Sequence, residues 1–120
     1  MEILTDLTGD QFSITLNDPE KRNAQTPQTW DDLYEICQAI PEEARFIVLR
    51  GNGKSFSAGM DRAMFTPGGI PGQPSFMDMA AQTDTQLDDT IAHYQRFFRL
   101  LRDLPQISIA LVQGHAIGAG

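Results

Sequence analysis

Residues 55–61 read Ser-Phe-Ser-Ala-Gly-Met-Asp and come shortly after the apolar run Phe46–Leu49. Further along the chain, the apolar run Ile107–Val112 leads into residues 114–120, which read Gly-His-Ala-Ile-Gly-Ala-Gly. Glycine adopts backbone conformations that other residues adopt only at an energetic cost, so each stretch is predicted to turn sharply where a strand ends. Two such turns can direct two backbone N–H groups at one oxygen atom, which is the arrangement of an oxyanion hole.

Apolar periodicity predicts the strands and helices around these turns. Residues 12, 14 and 16 are apolar and alternate with polar residues at the period of a half-buried strand, whereas spacings of three and four indicate amphipathic helices. A continuous apolar run such as Phe46–Leu49 is typical of a strand buried on both faces. The predicted order is β-β-α-β-loop-α-β, with a hairpin of Ile3–Leu7 and Phe12–Leu16, a helix from Pro27 to Ile40, a strand at Phe46–Leu49, a helix over Asp84–Leu104 and a strand at Ile107–Val112.

The third quarter of the chain is predicted to be irregular. Three prolines and three glycines lie between Met64 and Phe76, and this density of Pro and Gly excludes a regular element. We expect a surface loop there, with a functional lid as an equal alternative. The helix that follows is predicted to present one apolar face. That face consists of Leu87, Ile91, Tyr94, Phe98 and Leu101.

Length and composition indicate one globular domain or part of one. The chain has 120 residues, of which 41% are hydrophobic and 21% are charged, and this excludes a disordered or collagen-like protein. No apolar run is long enough to cross a bilayer, and the N-terminus lacks the basic and apolar blocks of a signal peptide. We therefore expect a cytoplasmic protein without a membrane partner. The net charge of −7 argues against a nucleic acid partner.

The two glycine turns carry a family resemblance. Phe-Ser-Ala-Gly-Xaa-Asp followed by Gly-Xaa-Ala-Xaa-Gly-Xaa-Gly resembles the crotonase (enoyl-CoA hydratase/isomerase) superfamily, over nearly the whole chain but only the first half of such a protein. The resemblance implies an α/β fold built as a spiral of β-β-α units. Residues 1–120 would then be the N-terminal part of a single acyl-CoA-binding core domain, truncated relative to the family. It also implies a homotrimer or a dimer of trimers.

By the same resemblance, the backbone N–H groups of Met60 and Ala119 form the oxyanion hole. Such a pair stabilises the enolate of an acyl-CoA thioester, and each donor contributes about 3 to 4 kcal/mol to transition-state stabilisation. The bulk of the Met60 side chain is expected to narrow the acyl pocket. The two glutamates that hydratases of this family use for proton transfer would fall after Gly120, so the general acid and base are expected outside this chain.

The stretch Asp18–Ala24 resembles the family's coenzyme A-binding segment. Arg22 is expected to contact the coenzyme A phosphates, because guanidinium suits phosphate geometry, with a solvated turn as the alternative. Coenzyme A is expected as part of the substrate and not as a prosthetic group, and no metal is expected. The predicted binding residues are Arg22, Ala24, Ala58, Gly59 and Asp61. For Asp61, a helix N-cap is the favoured role of the side chain.

The other reactive residue types are interpreted as structural. Cys37 lies among helical apolar residues and is expected to be a buried thiol, since free cysteine packs as a small hydrophobe. Neither His93 nor His115 has a carboxylate at a suggestive spacing in the sequence, so both are expected to be structural. The adjacent pairs Asp88-Asp89 and Glu42-Glu43 are expected to be solvated, because neighbouring side chains on a helix diverge.

Three functional hypotheses follow. The first is an enzyme of the enoyl-CoA hydratase/isomerase type, a lyase or isomerase of fatty acid metabolism acting on an acyl-CoA. The second is an acyl-CoA binder of the same fold without the acid and base. The third is a short-chain dehydrogenase, since a Gly-rich turn after an apolar strand also binds dinucleotide phosphates. That turn follows the first strand in dehydrogenases, whereas here it follows the last, so the third hypothesis is the weakest.

Overall fold

A computed structural model describes all 120 residues of the chain. Its order of elements confirms the predicted β-β-α-β-loop-α-β succession and adds a short helix and a 3-10 turn near the proline- and glycine-rich loop. None of the helices has the length and apolar character needed to cross a membrane. The elements are β1 Glu2–Thr8, β2 Gln11–Asn17, α1 Pro27–Gln38, β3 Phe46–Gly51, the 3-10 turn Arg62–Phe65, α2 Phe76–Ala80, α3 Asp84–Tyr94, α4 Arg96–Asp103 and β4 Ile107–Leu111.

The strands form one mixed sheet in the order β1-β2-β3-β4. β1 and β2 are an antiparallel hairpin, as predicted, and Gly9 takes a positive φ of 61° in its turn. β3 and β4 run parallel to β2, with Phe12 opposite Ile47 and Ile47 opposite Ser108. Because parallel strands end at the same edge, the two glycine turns leave the sheet side by side.

The core lies between one face of the sheet and helices α1 and α4. Ile14 and Ile47 are completely buried on this face, and α1 covers them with Leu33 and Cys37. α1 begins with a capping box: the Thr26 hydroxyl accepts from the N–H of Thr29, and the Thr29 hydroxyl accepts from the N–H of Thr26. The predicted start of this helix is confirmed, and its last residue is Gln38 rather than Ile40.

The predicted long helix over residues 84–104 is interrupted at Gln95, which ends α3 and precedes α4. As a consequence, the apolar stripe does not continue from one helix to the other. Phe97 is buried in the core, whereas Phe98 and Ile91, both predicted to face it, are exposed. The prediction of a single helix with one apolar face was therefore wrong in detail, because regular spacing in the sequence does not reveal an interruption in the backbone.

The opposite face of the sheet is open at β4. Ile107, Ile109 and Leu111 alternate along this strand on the side away from the core, and their exposed fractions are 60%, 41% and 49%. β4 also has no neighbour on its outer edge. In the interior of the sheet the situation differs: adjacent residues Ile47 and Val48 of β3 are both buried, which confirms the prediction of a strand buried on both faces.

Candidate active site at the two glycine turns

The first turn follows β3 and places Gly59 against the second turn. Gly59 has a φ of 81°, a value that side chains rarely adopt, and a Cβ there would overlap the carbonyl oxygen of Ile117. The same hypothetical Cβ would lie 3.3 Å from the backbone nitrogen of Ala119. Glycine is therefore required at this position both by its backbone conformation and by the close approach of the second turn.

The second turn follows β4 and is likewise shaped by contact with the first. A Cβ on Gly114 would overlap the carbonyl oxygen of Lys54, and a Cβ on Gly120 would lie 2.8 Å from the carbonyl oxygen of Ser57. Gly118, in contrast, has a φ of 59° with open space around it. Gly114 and Gly120 thus lack a side chain at the points where the first turn approaches the second.

Backbone hydrogen bonds join the two turns into a short parallel ladder. The N–H of Phe56 donates to the carbonyl of Gln113 at 2.8 Å, and the N–H of Ser57 donates to the carbonyl of His115 at 3.1 Å. The N–H of Ile117 returns a bond to the carbonyl of Ser57 at 3.2 Å. These bonds continue the parallel pairing of β3 and β4 beyond the strands in a shifted register, with Ser57 opposite Ala116, so the turns are held as one unit.

Within this unit, several backbone N–H groups have no acceptor in the chain, and those of Met60 and Ala119 are among them. The others belong to Ser55, Gly114, His115, Ala116 and Gly118. On either side of Met60, the N–H of Gly59 donates to the Ser57 hydroxyl at 3.1 Å and the N–H of Asp61 donates to the carbonyl of Gln25 at 2.7 Å. Gly120 N–H donates to Ile117 at 2.9 Å. Met60 and Ala119 are half-buried, and Gly59, the residue before Met60, contacts the second turn next to the Ala119 nitrogen. Their two N–H groups are therefore available to an exogenous acceptor where the turns meet.

A groove of about 730 Å³ runs along the first turn. It is lined by four of the predicted coenzyme A-binding residues, Arg22, Ala24, Ala58 and Asp61, and by Met60. Arg22 is exposed and makes no ion pair or side-chain hydrogen bond with the chain. Its carbonyl accepts from the N–H of Ala58 at 2.8 Å, which ties the two predicted binding segments together. Gly59, the fifth predicted residue, is buried beneath the groove.

Ala119 lines a different cavity, of about 670 Å³, between the second turn and α4. Its other walls come from Gly118, Gly120 and the side chains of α4, among them Phe98 and Arg99. The structure therefore brings Met60 and Ala119 together through the backbone of the two turns, and each residue borders its own cavity.

Asn23 is a structural residue of the site that the sequence did not reveal. Its side chain is completely buried, and its amide nitrogen lies within 3.0 Å of the carbonyl oxygens of Asn52, Ser55 and Phe56. Its amide oxygen accepts from the N–H of Asp18 at 2.8 Å. Both Asn23 and the preceding Arg22 have a φ of 53°, which asparagine tolerates better than most residues. Asn23 thus fixes the segment that presents Arg22.

Asp61 has the predicted capping role. Its carboxylate accepts from the N–H of Ala63 at 2.9 Å and begins the 3-10 turn Arg62–Phe65. The carboxylate remains on the wall of the groove, so capping and a contact with a ligand are compatible. Residues 66–75 beyond the 3-10 turn form no helix or strand, which confirms the predicted loop, and Gly69–Pro71 and Gln73 line the same groove.

The histidines differ from each other in their surroundings. No carboxylate stands at a suggestive spacing from His93 in the sequence, but its Nε2 lies 2.9 Å from Oδ1 of the distant Asp31, which is also 3.0 Å from Nη2 of Arg96. Asp31 is on α1, 62 residues before His93, so the pairing arises from helix packing and not from local sequence. His115 has only Ser55 within reach, at 3.5 Å. Neither histidine lines the groove at the first turn.

Cys37 is the buried thiol that the sequence predicts. It lies in the core with an exposed fraction of 2%, and burial raises the pKa of its thiol to about 11. The thiolate is therefore scarce at neutral pH, which excludes a nucleophilic role for this residue.

Known structures resemble the chain over almost its whole length. A Thermobifida fusca protein assigned to the enoyl-CoA hydratases, solved in complex with CoA, superposes with a TM-score of 0.84 and 39% identity, covering 98% of this chain and 44% of that protein. The structure of that T. fusca protein with acetoacetyl-CoA gives 40% identity and the same TM-score. The dehydrogenase hypothesis is thereby excluded, and the crotonase fold is confirmed.

Sequence relatives and a family model agree with this fold. Mouse mitochondrial Delta(3,5)-Delta(2,4)-dienoyl-CoA isomerase is 37% identical over 89% of this chain and 32% of the mouse protein. The 1,4-dihydroxy-2-naphthoyl-CoA synthase of Mycolicibacterium smegmatis is 32% identical over 89% of this chain and 37% of the synthase. The chain thus spans about a third of the length of these relatives. Since the model described as Enoyl-CoA hydratase/isomerase matches residues 11–120, the chain belongs to the enoyl-CoA hydratase/isomerase family.

Proposed function

We propose that the complete protein catalyses a hydratase or isomerase reaction on an unsaturated acyl-CoA, with the N–H groups of Met60 and Ala119 as its oxyanion hole. The observation that carries the proposal is the contact between the two turns at Gly59, which brings together two half-buried residues whose N–H groups have no acceptor in the chain. The relatives support the substrate class, because the isomerase and the synthase are named for acyl-CoA compounds and the T. fusca protein is solved with acetoacetyl-CoA.

The chemistry would use the two donors at the stage when charge develops. Addition of water to the β-carbon, or removal of a proton next to the thioester, leaves an enolate whose negative charge lies on the thioester oxygen. Two oriented N–H groups stabilise that charge more than they stabilise the neutral carbonyl, and this difference accelerates the reaction. We assign proton transfer to groups outside residues 1–120. The groove has two carboxylates: Asp61 caps the 3-10 turn, and Glu20 lies on the segment assigned to coenzyme A.

We assign the coenzyme A moiety to the groove along the first turn. Its phosphates would lie at Arg22, which is exposed, and which belongs to a local basic cluster with Lys21 in an otherwise acidic protein. The adenine would meet the backbone near Ala58, and the acyl group would extend past Met60. As a member of its family the complete protein is expected to be a homotrimer or a dimer of trimers, and a cytoplasmic location remains a prediction.

The test uses the complete protein with Ala119→Pro and Met60→Ala. Proline at 119 removes one N–H, and losing one donor should lower kcat by roughly a hundredfold to a thousandfold. Met60→Ala keeps its N–H and should retain most of the turnover. Hydration of a 2-enoyl-CoA and isomerisation of a 3,5-dienoyl-CoA are both followed by absorbance.

Two controls make this comparison decisive. The Ala119→Pro variant must bind coenzyme A in calorimetry and unfold near the wild-type temperature. A well-folded Ala119→Pro protein with near wild-type turnover would contradict the oxyanion hole. A wild-type complete protein that binds acyl-CoA but turns over neither substrate class would indicate the non-catalytic binder instead.

A further inference from the structure

The side chain of Gln25 links both turns to helix α1. It is 95% buried, and its amide nitrogen donates to the Ser57 hydroxyl at 3.0 Å and to the carbonyl oxygen of Ala119 at 3.2 Å. Its amide oxygen accepts from the indole N–H of Trp30 at 2.8 Å. Both polar atoms of this side chain therefore have partners, which lie on the first turn, the second turn and helix α1.

The orientation of the Gln25 amide is determined by its partners. An indole nitrogen can only donate, so the Gln25 oxygen must face Trp30, and its NH2 group must face Ser57 and Ala119. The Ser57 hydroxyl, in turn, donates its one proton to the carbonyl of Asn23 at 2.8 Å and accepts from Gln25 and from the N–H of Gly59. The network has one consistent arrangement of donors and acceptors.

The main chain of Gln25 holds the peptide that carries the first candidate donor. Its N–H donates at 2.7 Å to the carbonyl of Gly59, and that carbonyl belongs to the same peptide group as the N–H of Met60. In a trans peptide the two groups point in opposite directions, so this bond directs the Met60 N–H away from Gln25. A hydrogen bond at the carbonyl also polarises the peptide and strengthens its N–H as a donor.

The side chain of Gln25 acts similarly on the second turn. The carbonyl of Ala119 accepts from Gln25, while the N–H of the following residue, Gly120, donates to Ile117 at 2.9 Å. The peptide after Ala119 is thus bonded at both ends, and its position fixes the Cα from which the free N–H of Ala119 projects. Gln25 consequently contacts both donor-bearing segments.

We propose that Gln25 is a positioning residue that sets the relative placement of the Met60 and Ala119 N–H groups. This role rests on the proposed function. Because a misplacement of about 1 Å can lower a rate by a hundredfold, removal of the amide should reduce turnover by about tenfold to a hundredfold without weakening coenzyme A binding. Gln25 lies beneath the groove and does not line it, so binding has no direct reason to change.

The experiment compares Gln25→Met with Gln38→Met in the complete protein. Methionine keeps the length of the side chain and removes its hydrogen bonds; Gln38 lies exposed at the end of α1 and serves as the matched control. The readouts are kcat, calorimetric affinity for coenzyme A, and the infrared stretch of a saturated acyl-CoA labelled with 13C at the thioester carbonyl. Donors of an oxyanion hole lower the frequency of that stretch.

We expect wild type and Gln38→Met to lower the frequency of the carbonyl stretch equally. In Gln25→Met the shift should be smaller and kcat should be lower. An unchanged shift and a kcat within about twofold of wild type in Gln25→Met would overturn the positioning role alone. If the wild-type protein causes no shift, the proposed function fails, and the role of Gln25 fails with it.

A second variant covers the case in which Gln25→Met does not fold. Trp30→Phe keeps the Gln25 amide and the aromatic packing but removes the indole N–H that orients it. We expect Trp30→Phe to reduce the carbonyl shift and kcat, by less than Gln25→Met does, and to leave the affinity for coenzyme A unchanged. A Trp30→Phe protein with the full wild-type shift and kcat would overturn the inference.

Discussion

At the scale of single residues, Gly59 and Gly68 have nearly the same backbone conformation but different surroundings. Their φ values are 81° and 84°, and a Cβ would overlap the Ile117 carbonyl at Gly59 but meet nothing within 4 Å at Gly68. Comparing the two single alanine variants therefore separates the effect of backbone conformation from the effect of contact between the turns.

We expect Gly68→Ala to lower the free energy of unfolding by about 1 to 2 kcal/mol, the usual cost of a side chain in the left-handed region. Gly59→Ala should lower the free energy of unfolding by more than this, because the second turn must also move. We expect kcat to fall in Gly59→Ala and not in Gly68→Ala. Urea unfolding and steady-state kinetics on the complete protein check both statements. Equal losses of stability and unaltered kcat would contradict the close approach of the turns.

Arg22 provides a residue-scale test of coenzyme A binding. Its φ of 53° makes alanine a poor replacement, since alanine would add strain, whereas asparagine tolerates this conformation. Arg22→Asn should weaken coenzyme A binding about tenfold by removing a charged hydrogen-bond donor, and should flatten the dependence of affinity on salt.

The matched control for Arg22 is Arg45→Asn. Arg45 is also exposed, but it precedes β3, at the opposite end of the strand from the glycine turns. Its replacement should leave affinity and salt dependence unchanged in calorimetry. Equal affinities of the Arg22 and Arg45 variants would remove Arg22 from the binding site.

At the scale of elements, local signals determined what the sequence could predict. The Thr26-Pro27 start of α1, the strand β3 and the turn at Gly59 are each encoded within a few neighbouring residues, and all three are predicted correctly. The contacts Gln25–Ala119 and Asp31–His93 are not encoded locally, because the two residues of each pair lie 94 and 62 positions apart in the sequence. Such pairs depend on how helices and turns pack, which periodicity does not specify.

The buried face of α1 makes the Cys37 thiol a probe of local opening. A rise of its pKa from 9.0 to about 11 reduces the thiolate fraction at pH 8 by about a hundredfold. We therefore expect alkylation of the native complete protein by iodoacetamide at pH 8 to be at least that much slower than alkylation of the urea-unfolded protein. Comparable rates in both states would show that this face of α1 is not buried.

The same shift has a consequence for stability as pH rises. A neutral thiol is favoured in the folded state, so its contribution is complete below pH 9 and is lost as the pH approaches 11. The difference between wild type and Cys37→Ala in free energy of unfolding should accordingly shrink across that window. A constant difference would show that the thiol titrates alike in the folded and unfolded states.

At the scale of the whole molecule, the open face of β4 limits how the 120-residue chain behaves by itself. Ile107, Ile109 and Leu111 form an apolar row on an unpaired edge strand, and such edges pair readily with other chains. We expect the isolated 120-residue chain to self-associate, to unfold without a cooperative transition, and to lack catalytic activity.

A variant of this strand provides the control. Ile109→Lys places a charge in the middle of the apolar row and should reduce the self-association seen by light scattering. Ser108→Lys, on the other face of the same strand, should reduce self-association less than Ile109→Lys does. A monomeric wild-type chain with cooperative thermal unfolding would contradict the prediction for β4.

The hydrogen bond between Gln25 and Ala119 also determines when the site can form during protein synthesis. Ribosomes add roughly 5 to 20 residues per second, so about 5 to 20 seconds separate the synthesis of these two residues. The hairpin of β1 and β2 is already made when that interval begins, and helix α1 is completed early in it, while the Gln25 amide still lacks one of its acceptors. The candidate oxyanion hole therefore belongs to the last part of this segment to fold on a nascent chain.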